Sequence, residues 1–429
     1  MPVERNNTIA VINGYIAKEA AKGFFNTRLF SGLVKKDYSE EFEDGGAKKG
    51  DQIFVKNPPQ FRVRTGKNMK IQNVKETKIP ITLPDQQGVD FEFNMREVTL
   101  DLVQGVRYCS EKALRPAGSA LASNKDAEGM MIASTQAGHS VIVGTTKASN
   151  PYEYFLKAKA LLNKALAPKG EKRYSIVSSD IEVALAQQVS TLFNAAKDIT
   201  KAIKTAGMKD VGVGGLTWGA SDLNYVHTNG AGGSSVTLGK ITPDYVNEKQ
   251  WIEATADGLA VGDTIEFDCF LVNYETKKLY SDKLQRKVLE IGTGANNGKV
   301  LVYSIRPTLT DEEVEDESKT EAERKELRSQ QAMANCSALP KSGTVLGVKG
   351  KHYACCPVFY GDAIVLTSVD LARPTKAEAC EVVRHDSMVM RYVRDYAIDS
   401  DVLPNRLDLL AVFTVIRPEW VVSVEIQID

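Results

Sequence analysis

Two short stretches of alternating apolar residues, separated by a long polar segment, constrain the fold of this 429-residue chain more than any other feature. Ile53 and Val55 alternate with polar residues in the first stretch. Ile79, Ile81 and Leu83 do so in the second. A period of two predicts β-strands with one buried face, so the polar segment FRVRTGKNMKIQ between them becomes the tip of a projecting hairpin. Because an isolated two-stranded ribbon is marginal in water, the hairpin needs a surface to lie on, and a neighbouring subunit is a natural candidate.

Helical periodicity precedes and follows this hairpin. Apolar residues at three- and four-residue steps predict one helix over 8–33 and a long second helix over 96–138. Pro116 lies inside the second segment and predicts a kink or a break there. A third helix is predicted from Pro151, capped by Asn150, to about Ala167, with Gly170 ending it. The strand RYSIVSS and a helix starting near Asp180 follow, which indicates an α+β or α/β layer.

The character of the chain changes between residues 227 and 347. Short β-prone segments alternate with the turn signals NGAGG, ADG and TGANNG at a spacing near ten residues, which is typical of a small antiparallel barrel or sandwich. The acidic segment TDEEVEDESKTEAERKELRSQQA is interpreted as a solvated helix or mobile loop. The mixed pattern then resumes with FYGDAIVLTSV as a strand, LARPTKAEAC as a turn and short helix, and further strands to the end. A β module between two parts of a mixed fold predicts a domain insertion.

Charge and hydropathy exclude some classes of function. Lys and Arg number 54 and Asp and Glu number 55, giving a net charge of -1, whereas proteins that act through nucleic acid usually carry a strong basic excess. Any contact with DNA is therefore predicted to be weak or local. The N-terminus lacks the continuous apolar core of a signal peptide. No run approaches the ~18 apolar residues that span a bilayer, so no membrane partner is predicted.

The cysteines indicate a reducing compartment. The six cysteines form neither a C-x-x-C pair nor a zinc pattern. Cys355 and Cys356 are adjacent in the apolar segment HYACCPVFY. They form either a strained redox pair or, in the favoured interpretation, two reduced core residues on a strand. The chain is therefore expected in a reducing cytoplasm.

No catalytic, cofactor or metal site is predicted. Residues 138–142, GHSVI, fail the hydrolase pattern G-x-S-x-G at its last position. TGANNGKV lacks the first glycine and the final hydroxyl of a phosphate-binding loop, and neither GVGG nor GTG completes G-x-G-x-x-G, so these strings are interpreted as turns. The four histidines lack metal-ligand spacing. His385, between Arg384 and Asp386, is interpreted as a surface or interface histidine.

The order of segments resembles the major capsid proteins of tailed double-stranded DNA phages with the Hong Kong 97-type fold. Within that family it is most similar to the coat protein of short-tailed Salmonella phages that carry an inserted β-barrel domain. Four strings carry the likeness: GDQIFVKNPPQFRVRTG with IPITLPDQQGVDFEFNMREVTLDL, RYCSEKALRPAGSALASNKD, GLAVGDTIEFDCFLVNYETKKL and KHYACCPVFYGDAIVLTSVDL. They look like the extended loop with its return, the spine helix, the core strands of the inserted domain and the return strand.

The resemblance implies an α+β fold in five parts. These are an N-terminal arm (1–35), the extended loop hairpin with peripheral strands (36–95), the spine helix with axial and peripheral core (96–226), an inserted antiparallel β-barrel domain (227–347) and the return of the core (348–429). It implies no enzyme. Instead, hexamers and pentamers would form an icosahedral shell around packaged DNA held non-specifically, assembled in the host cytoplasm and retained in the virion. A scaffolding protein and a portal would be partners, and a decoration protein is a further candidate.

Four basic residues at the hairpin tip are the candidate inter-subunit contacts: Arg62, Arg64, Lys67 and Lys70. They suit pairing with acidic groups on an adjacent subunit, and an ordinary solvated hairpin is the alternative. An exposed ion pair contributes only ~0–1 kcal/mol, but many such contacts add up over a lattice through multivalency.

Three rival functions remain at this stage. The first is the shell protein of a cellular nanocompartment with the same core fold. The second is a soluble enzyme with an unrecognised site, which would show a deep pocket with convergent titratable groups. The third is a phage tail or baseplate component, which would form tubes or rings.

Overall fold

The computed structural model describes residues 21–38, 52–94, 114–143, 151–169, 172–192, 215–273, 275–375, 377 and 379–428. Most of the predicted arm (1–20) and the first half of the predicted spine helix (95–113) lie outside these residues. Residues 21–27 are helical. The longer and shorter helices that follow are α1 (Phe30–Leu33), α2 (Arg115–Thr135), α3 (Pro151–Lys164), α4 (Ser179–Leu192), α5 (Asp311–Val314) and α6 (Glu321–Ala332).

The described residues contain these strands: β1 (Lys35–Lys36), β2 (Gln52–Lys56), β3 (Lys78–Thr82), β4 (Gln87–Asn94), β5 (His139–Val143), β6 (Arg173–Val177), β7 (Thr217–Ala220), β8 (Val226–Thr228), β9 (Ser235–Leu238), β10 (Lys249–Thr255), β11 (Thr264–Val272), β12 (Leu279–Lys287), β13 (Glu290–Ile291), β14 (Lys299–Tyr303), β15 (Ser342–Val345), β16 (His352–Tyr360), β17 (Ile364–Ser368), β18 (Ala379–His385), β19 (Met388–Arg394), β20 (Val402–Leu409), β21 (Ala411–Val415) and β22 (Val421–Gln427). Helices and strands occur in one chain, so the fold is mixed α and β.

The chain divides into two compact units, each assembled from three stretches of sequence. The first unit contains Met1–Ile53, Ile81–Gly129 and Ile364–Thr414. The second contains Phe54–Pro80, Met130–Ala363 and Val415–Asp429. The chain passes back and forth between the two units, so neither unit is a continuous segment. The boundaries of the five predicted domains are not tested by this division and stay a prediction.

The first unit contains a four-stranded antiparallel sheet in the order β18-β19-β20-β4 and a smaller sheet in the order β1-β17-β21. Asp126 of α2 accepts hydrogen bonds from the backbone amides of Phe30 (3.1 Å) and Ser31 (2.9 Å), which satisfies the free donors at the start of α1. Gly129 lies directly under Phe30, where a Cβ would stand 2.5 Å from the ring. The close packing of α1 on α2 therefore requires a glycine at this position.

The second unit contains a six-stranded sheet in the order β5-β22-β16-β6-β7, with β8 paired to β16. β5 runs parallel to β22, whereas β16 is antiparallel to both β22 and β6. α3 buries Phe155, Ala158 and Leu162 in the core of this sheet. The residues of β16 from Tyr353 to Phe359 are all buried. Both faces of the central strand are therefore covered, which explains an apolar run without alternation.

The same unit contains a seven-stranded sheet in the order β12-β11-β15-β9-β10-β14-β13, in which every pairing is antiparallel. All seven strands fall between residues 235 and 345. β12 runs directly into β13, and the amide of Leu289 donates to the carbonyl of Leu301 at 2.9 Å. The first and last strands of the sheet are thus joined by the chain itself. The apolar core of this sheet includes Ile252, Phe267, Leu284 and Val302.

Some predicted elements end at other residues, or have another secondary structure, than the sequence predicts. α3 ends at Lys164 and not near Gly170, because Leu166 adopts a left-handed φ of 55° and the amide of Ala167 returns to the carbonyl of Leu162 at 3.0 Å. Pro116 is the second residue of α2, and the predicted spine helix before Leu114 lies outside the described residues, so the predicted kink or break stays a prediction. The described part of the predicted short helix in LARPTKAEAC is not helical, and its end enters β18.

Candidate functional site

The extended loop, residues 57–77, connects the short strands β2 and β3 and contains no regular strand or helix of its own. It is closed at its base by a hydrogen bond of 2.9 Å from the amide of Asn57 to the carbonyl of Thr77. The carboxylate of Glu248 accepts from both Asn57, at 3.3 Å, and Thr77. Burial alone would raise the pKa of Glu248, but Arg306 and these two donors outweigh burial and lower it. The base of the loop is therefore fixed on a buried, ionised carboxylate.

Two short helices of the acidic segment, α5 and α6, lie against the far part of this loop. Each begins with a threonine followed three residues later by a glutamate, in the reciprocal arrangement of a capping box. At α6, the amide of Glu323 donates to the Thr320 hydroxyl at 3.3 Å, and the Thr320 amide donates to the Glu323 carboxylate at 2.8 Å. Acidic residues in the first turns are also favourable at the positive end of the helix dipole. The acidic segment thus forms two capped helices joined by the non-helical residues 315–320.

Basic residues of the loop pair with carboxylates of these two helices and their connection. Arg62 contacts Asp311 at 2.5 Å, and Lys70 contacts Glu315 at 3.2 Å. Farther along the loop, Lys75 pairs with Glu326. We call Asp311, Glu315 and Glu326 the acidic dock. Oppositely charged groups that are more than 200 residues apart in sequence are therefore brought together within one chain.

Arg328 of α6 connects the acidic dock to the loop backbone. Its side chain is only 7% exposed and bonds the two oxygens of Glu315 at 2.7 and 3.1 Å and one oxygen of Glu321 at 2.8 Å. Another hydrogen bond runs to the carbonyl of Ile71 at 2.8 Å. Arg328, with a smaller contribution from Lys70, lowers the pKa of Glu315 to about 2. Glu315 is consequently charged at any physiological pH.

Unlike the paired basic side chains, the apolar side chains of the loop face solvent. Val63 is 87% exposed and Met69 is 77% exposed. Phe61, Ile71 and Val74 are also exposed. Single apolar residues on a surface are normal, whereas several on one loop are typical of an interaction surface.

The four predicted tip residues differ in whether they form ion pairs within the chain. Arg62 and Lys70 pair with the acidic dock, as described above. Arg64 donates to the carbonyl of Gly66, and neither Arg64 nor Lys67 has an ion pair among the described residues. Their predicted contact with another subunit is not tested by a single chain and stays a prediction.

Sequence reasoning missed Lys75, Arg328 and the whole acidic dock as parts of this site. The Thr-x-x-Glu spacing at Thr310 and Thr320 was the available signal for two helix starts. No sequence signal indicates which of the many carboxylates the loop would meet, because that pairing depends on the tertiary fold.

Two of the strings compared with catalytic motifs form a strand and a turn, whereas most of GVGG (212–215) lies outside the described residues. Ser140 is the second residue of β5, is buried, and accepts a hydrogen bond from Thr264 at 2.9 Å, which is unlike a nucleophile on a sharp turn. The glycines of TGANNG form the turn between β13 and β14. Cys355 and Cys356 are buried in β16 and are not in a disulfide, as the favoured interpretation predicted.

The remaining charged and polar groups singled out in the sequence have structural partners. Arg384 pairs with Asp370, whereas Asp386 pairs with Arg28 at 2.6 Å and Lys36 at 2.5 Å. His385 is exposed in β18. Within the described ranges, no group of three or more His, Cys, Asp and Glu side chains has the placement to hold a metal ion. Among those same residues, no helix combines the length and the apolar character required for a membrane span.

No protein-family model matches the chain, and no curated protein is similar to it in sequence. Some solved structures resemble this chain in the path of the backbone, at low TM-scores. A chain from the structure of Mycobacterium phage Che8 has a TM-score of 0.44 and 13% identity, with 92% of this chain and 90% of that chain covered. The capsid structure of Cyanophage P-SCSP1u gives 0.41 and 11%, with 93% and 88% covered. A virus-like particle from Pyrococcus furiosus gives 0.40 and 9%, with 96% and 98% covered. The solved structures that this chain resembles include a phage capsid and a virus-like particle.

Proposed function

We propose that this chain is the major capsid protein of a tailed double-stranded DNA phage, a structural shell subunit without enzymatic activity. The observation that carries the proposal is the extended loop. Its base and the cations Arg62 and Lys70 are fixed within the chain, yet its apolar side chains and the cations Arg64 and Lys67 face solvent. A fixed loop that presents apolar groups is prepared for a partner, and a second copy of the chain supplies one at every position of a shell.

The fold assignment within this proposal is the Hong Kong 97-type fold with an inserted domain, most similar to that of short-tailed Salmonella phages. The order of extended loop, long helix, mixed core, β module and returning core strands supports it. The seven-stranded sheet, whose end strands follow each other in the chain, supports the proposal that residues 227–347 form an inserted antiparallel barrel.

The partners and location follow from the same proposal. Copies would form hexamers and pentamers on a scaffolding protein, with a portal at one vertex, and a decoration protein is a further candidate. The near-neutral net charge of -1 suits packaged DNA that is held non-specifically. Shells would assemble in the host cytoplasm and remain in the virion.

Negative-stain electron microscopy of the purified protein, alone and with a candidate scaffold, tests the proposal. Closed polyhedral shells or sheets of hexamers are the expected result. DNA and a portal in native particles would then separate a phage capsid from a nanocompartment. A monomer that never assembles under any salt or crowding condition would refute the shell function and favour an enzyme.

Arg64 and Lys67, for which the described part of the chain provides no ion pair, allow a sharper test. The double variant Arg64→Glu/Lys67→Glu is expected to leave the monomer folded and to impair shell assembly, because it reverses two exposed charges without touching the acidic dock. Circular dichroism and sedimentation velocity measure the two effects separately. Normal shells with unchanged salt sensitivity would contradict a role of these residues in subunit contact.

A further inference from the structure

We propose that the acidic dock is an intramolecular latch, which holds the extended loop in one conformation before any neighbouring subunit is met. The effect of the latch on shell assembly rests on the proposed function, whereas the latch itself is a property of the single chain. The loop needs such a device because residues 57–77 have no strand pairing to define their course.

Three ion pairs hold the far part of the loop, and all of their carboxylates belong to the acidic dock. Arg62, Lys70 and Lys75 reach Asp311, Glu315 and Glu326 respectively. These three pairs extend over most of the length of the loop. They fix its position along the two helices without any backbone ladder.

Hydrogen bonds involving backbone and side-chain groups of the loop supplement the ion pairs. The guanidinium of Arg328 donates to the carbonyl of Ile71, and the side-chain amide of Asn73 donates to Glu326 at 3.1 Å. The backbone amide of Arg62 donates to the Gln72 side chain at 3.1 Å, which joins the two arms of the loop. Hydrogen bonds are directional, so they select one conformation where charge attraction alone would allow several.

The latch determines which groups remain for a partner. The pairs use the cations on the side that faces α5 and α6, and leave Val63, Met69, Arg64 and Lys67 exposed. A free loop would lose conformational freedom when a second copy binds, and that loss would weaken each contact. A loop that is already held has lost that freedom on folding. The insert therefore prepares the loop for assembly from within the same subunit.

The experiment is hydrogen–deuterium exchange of the full-length unassembled protein, read on peptides that cover residues 57–77. Asp311→Arg places a cation opposite Arg62, and Lys70→Glu places a carboxylate opposite Glu315. Since partly exposed pairs contribute up to ~1 kcal/mol, each variant is expected to speed exchange in the loop by roughly fivefold. Arg62→Glu combined with Asp311→Arg restores an opposite pair and is expected to return exchange toward the wild-type rate.

The matched control is Glu312→Arg, which makes the same charge change on the next residue of α5. Glu312 is exposed and has no contact with the loop among the described residues. Loop exchange in this variant is expected to equal that of the wild-type protein. If Asp311→Arg and Lys70→Glu also leave loop exchange unchanged, there is no latch. Because Lys70→Glu alters only the loop, it keeps the test valid should Asp311→Arg disturb α5.

Assembly is measured separately on the same variants. Slower shell formation by Asp311→Arg, restored in the double variant with Arg62→Glu, would support the role of the latch in assembly. Normal shells from a variant whose loop exchanges fast would overturn that role. A wild-type chain that never assembles but shows the predicted exchange pattern would refute the shell function and leave the latch standing.

Discussion

Lys287 and Glu425 form an ion pair whose two side chains are only 2% and 1% exposed. The Lys287 ammonium lies 2.5 Å from the Glu425 carboxylate and also donates to the carbonyl of Gly262 at 2.9 Å. Lys287 ends β12 of the seven-stranded sheet, and Glu425 lies in β22 of the six-stranded sheet. Removing one partner of a buried ion pair destabilises the fold strongly, because water cannot solvate the charge that remains. At the residue scale, this pair is therefore a sensitive point of the second unit.

Lys287→Met is expected to lower the free energy of unfolding by about 3–5 kcal/mol, because it leaves the Glu425 carboxylate buried without its partner. Chemical denaturation of the unassembled protein measures the change. The double variant Lys287→Met/Glu425→Leu is expected to recover most of the loss, since it removes both charges. A loss below 1 kcal/mol in the single variant would show that water reaches Glu425.

At the scale of single elements, α6 connects local sequence to the candidate site. The helix begins at a capping box and carries Arg328 and Glu326. Both residues contact the loop through side chains on this one helix. Any change that frays its first turn therefore acts on the acidic dock as well as on the helix.

Thr320→Ala removes the side chain that caps α6, and is expected to cost about 1 kcal/mol of stability. Faster hydrogen exchange in 321–332 and, more weakly, in 57–77 would be the direct observation. Thr320→Ser keeps the hydroxyl and serves as the control. Equal exchange in the alanine and serine variants would contradict a stabilising role for the capping box.

At the scale of the whole molecule, the seven-stranded sheet has a core of its own. Every member of that apolar cluster lies between Ala231 and Val345. A continuous segment that supplies its own core meets the physical requirement for independent folding. The rest of the second unit and all of the first unit depend on stretches that are distant in sequence.

The fragment 227–347, expressed alone, is expected to fold and to melt cooperatively, because it retains this core. Its melting temperature is expected to fall below that of the full chain, since the fragment lacks Glu425 and the loop that packs on α5 and α6. Differential scanning calorimetry with circular dichroism measures both properties. A broad, non-cooperative melt would argue against an independently folding insert.

The sequence by itself determined the elements whose pattern reports burial. Ile53, Val55, Ile79 and Ile81 alternate with polar residues, and all four are buried in β2 and β3. A strand that covers one face of a core must alternate in this way. The start of α3 at Pro151 was likewise predictable, because proline suits a first helical turn.

The tertiary structure alone decided the features that depend on distant residues. The segment LARPTKAEAC, which ends at Cys380, reads locally as a turn and short helix, yet Ala379–His385 is a strand because it pairs along its length with β19. The candidate site follows the same rule. Arg62 and Asp311 are visibly basic and acidic in the sequence, but their partnership exists because the fold carries the loop to α5. The alternation of buried and exposed residues along a strand is visible in the local sequence. A charge pair requires only proximity in space, which no local pattern encodes.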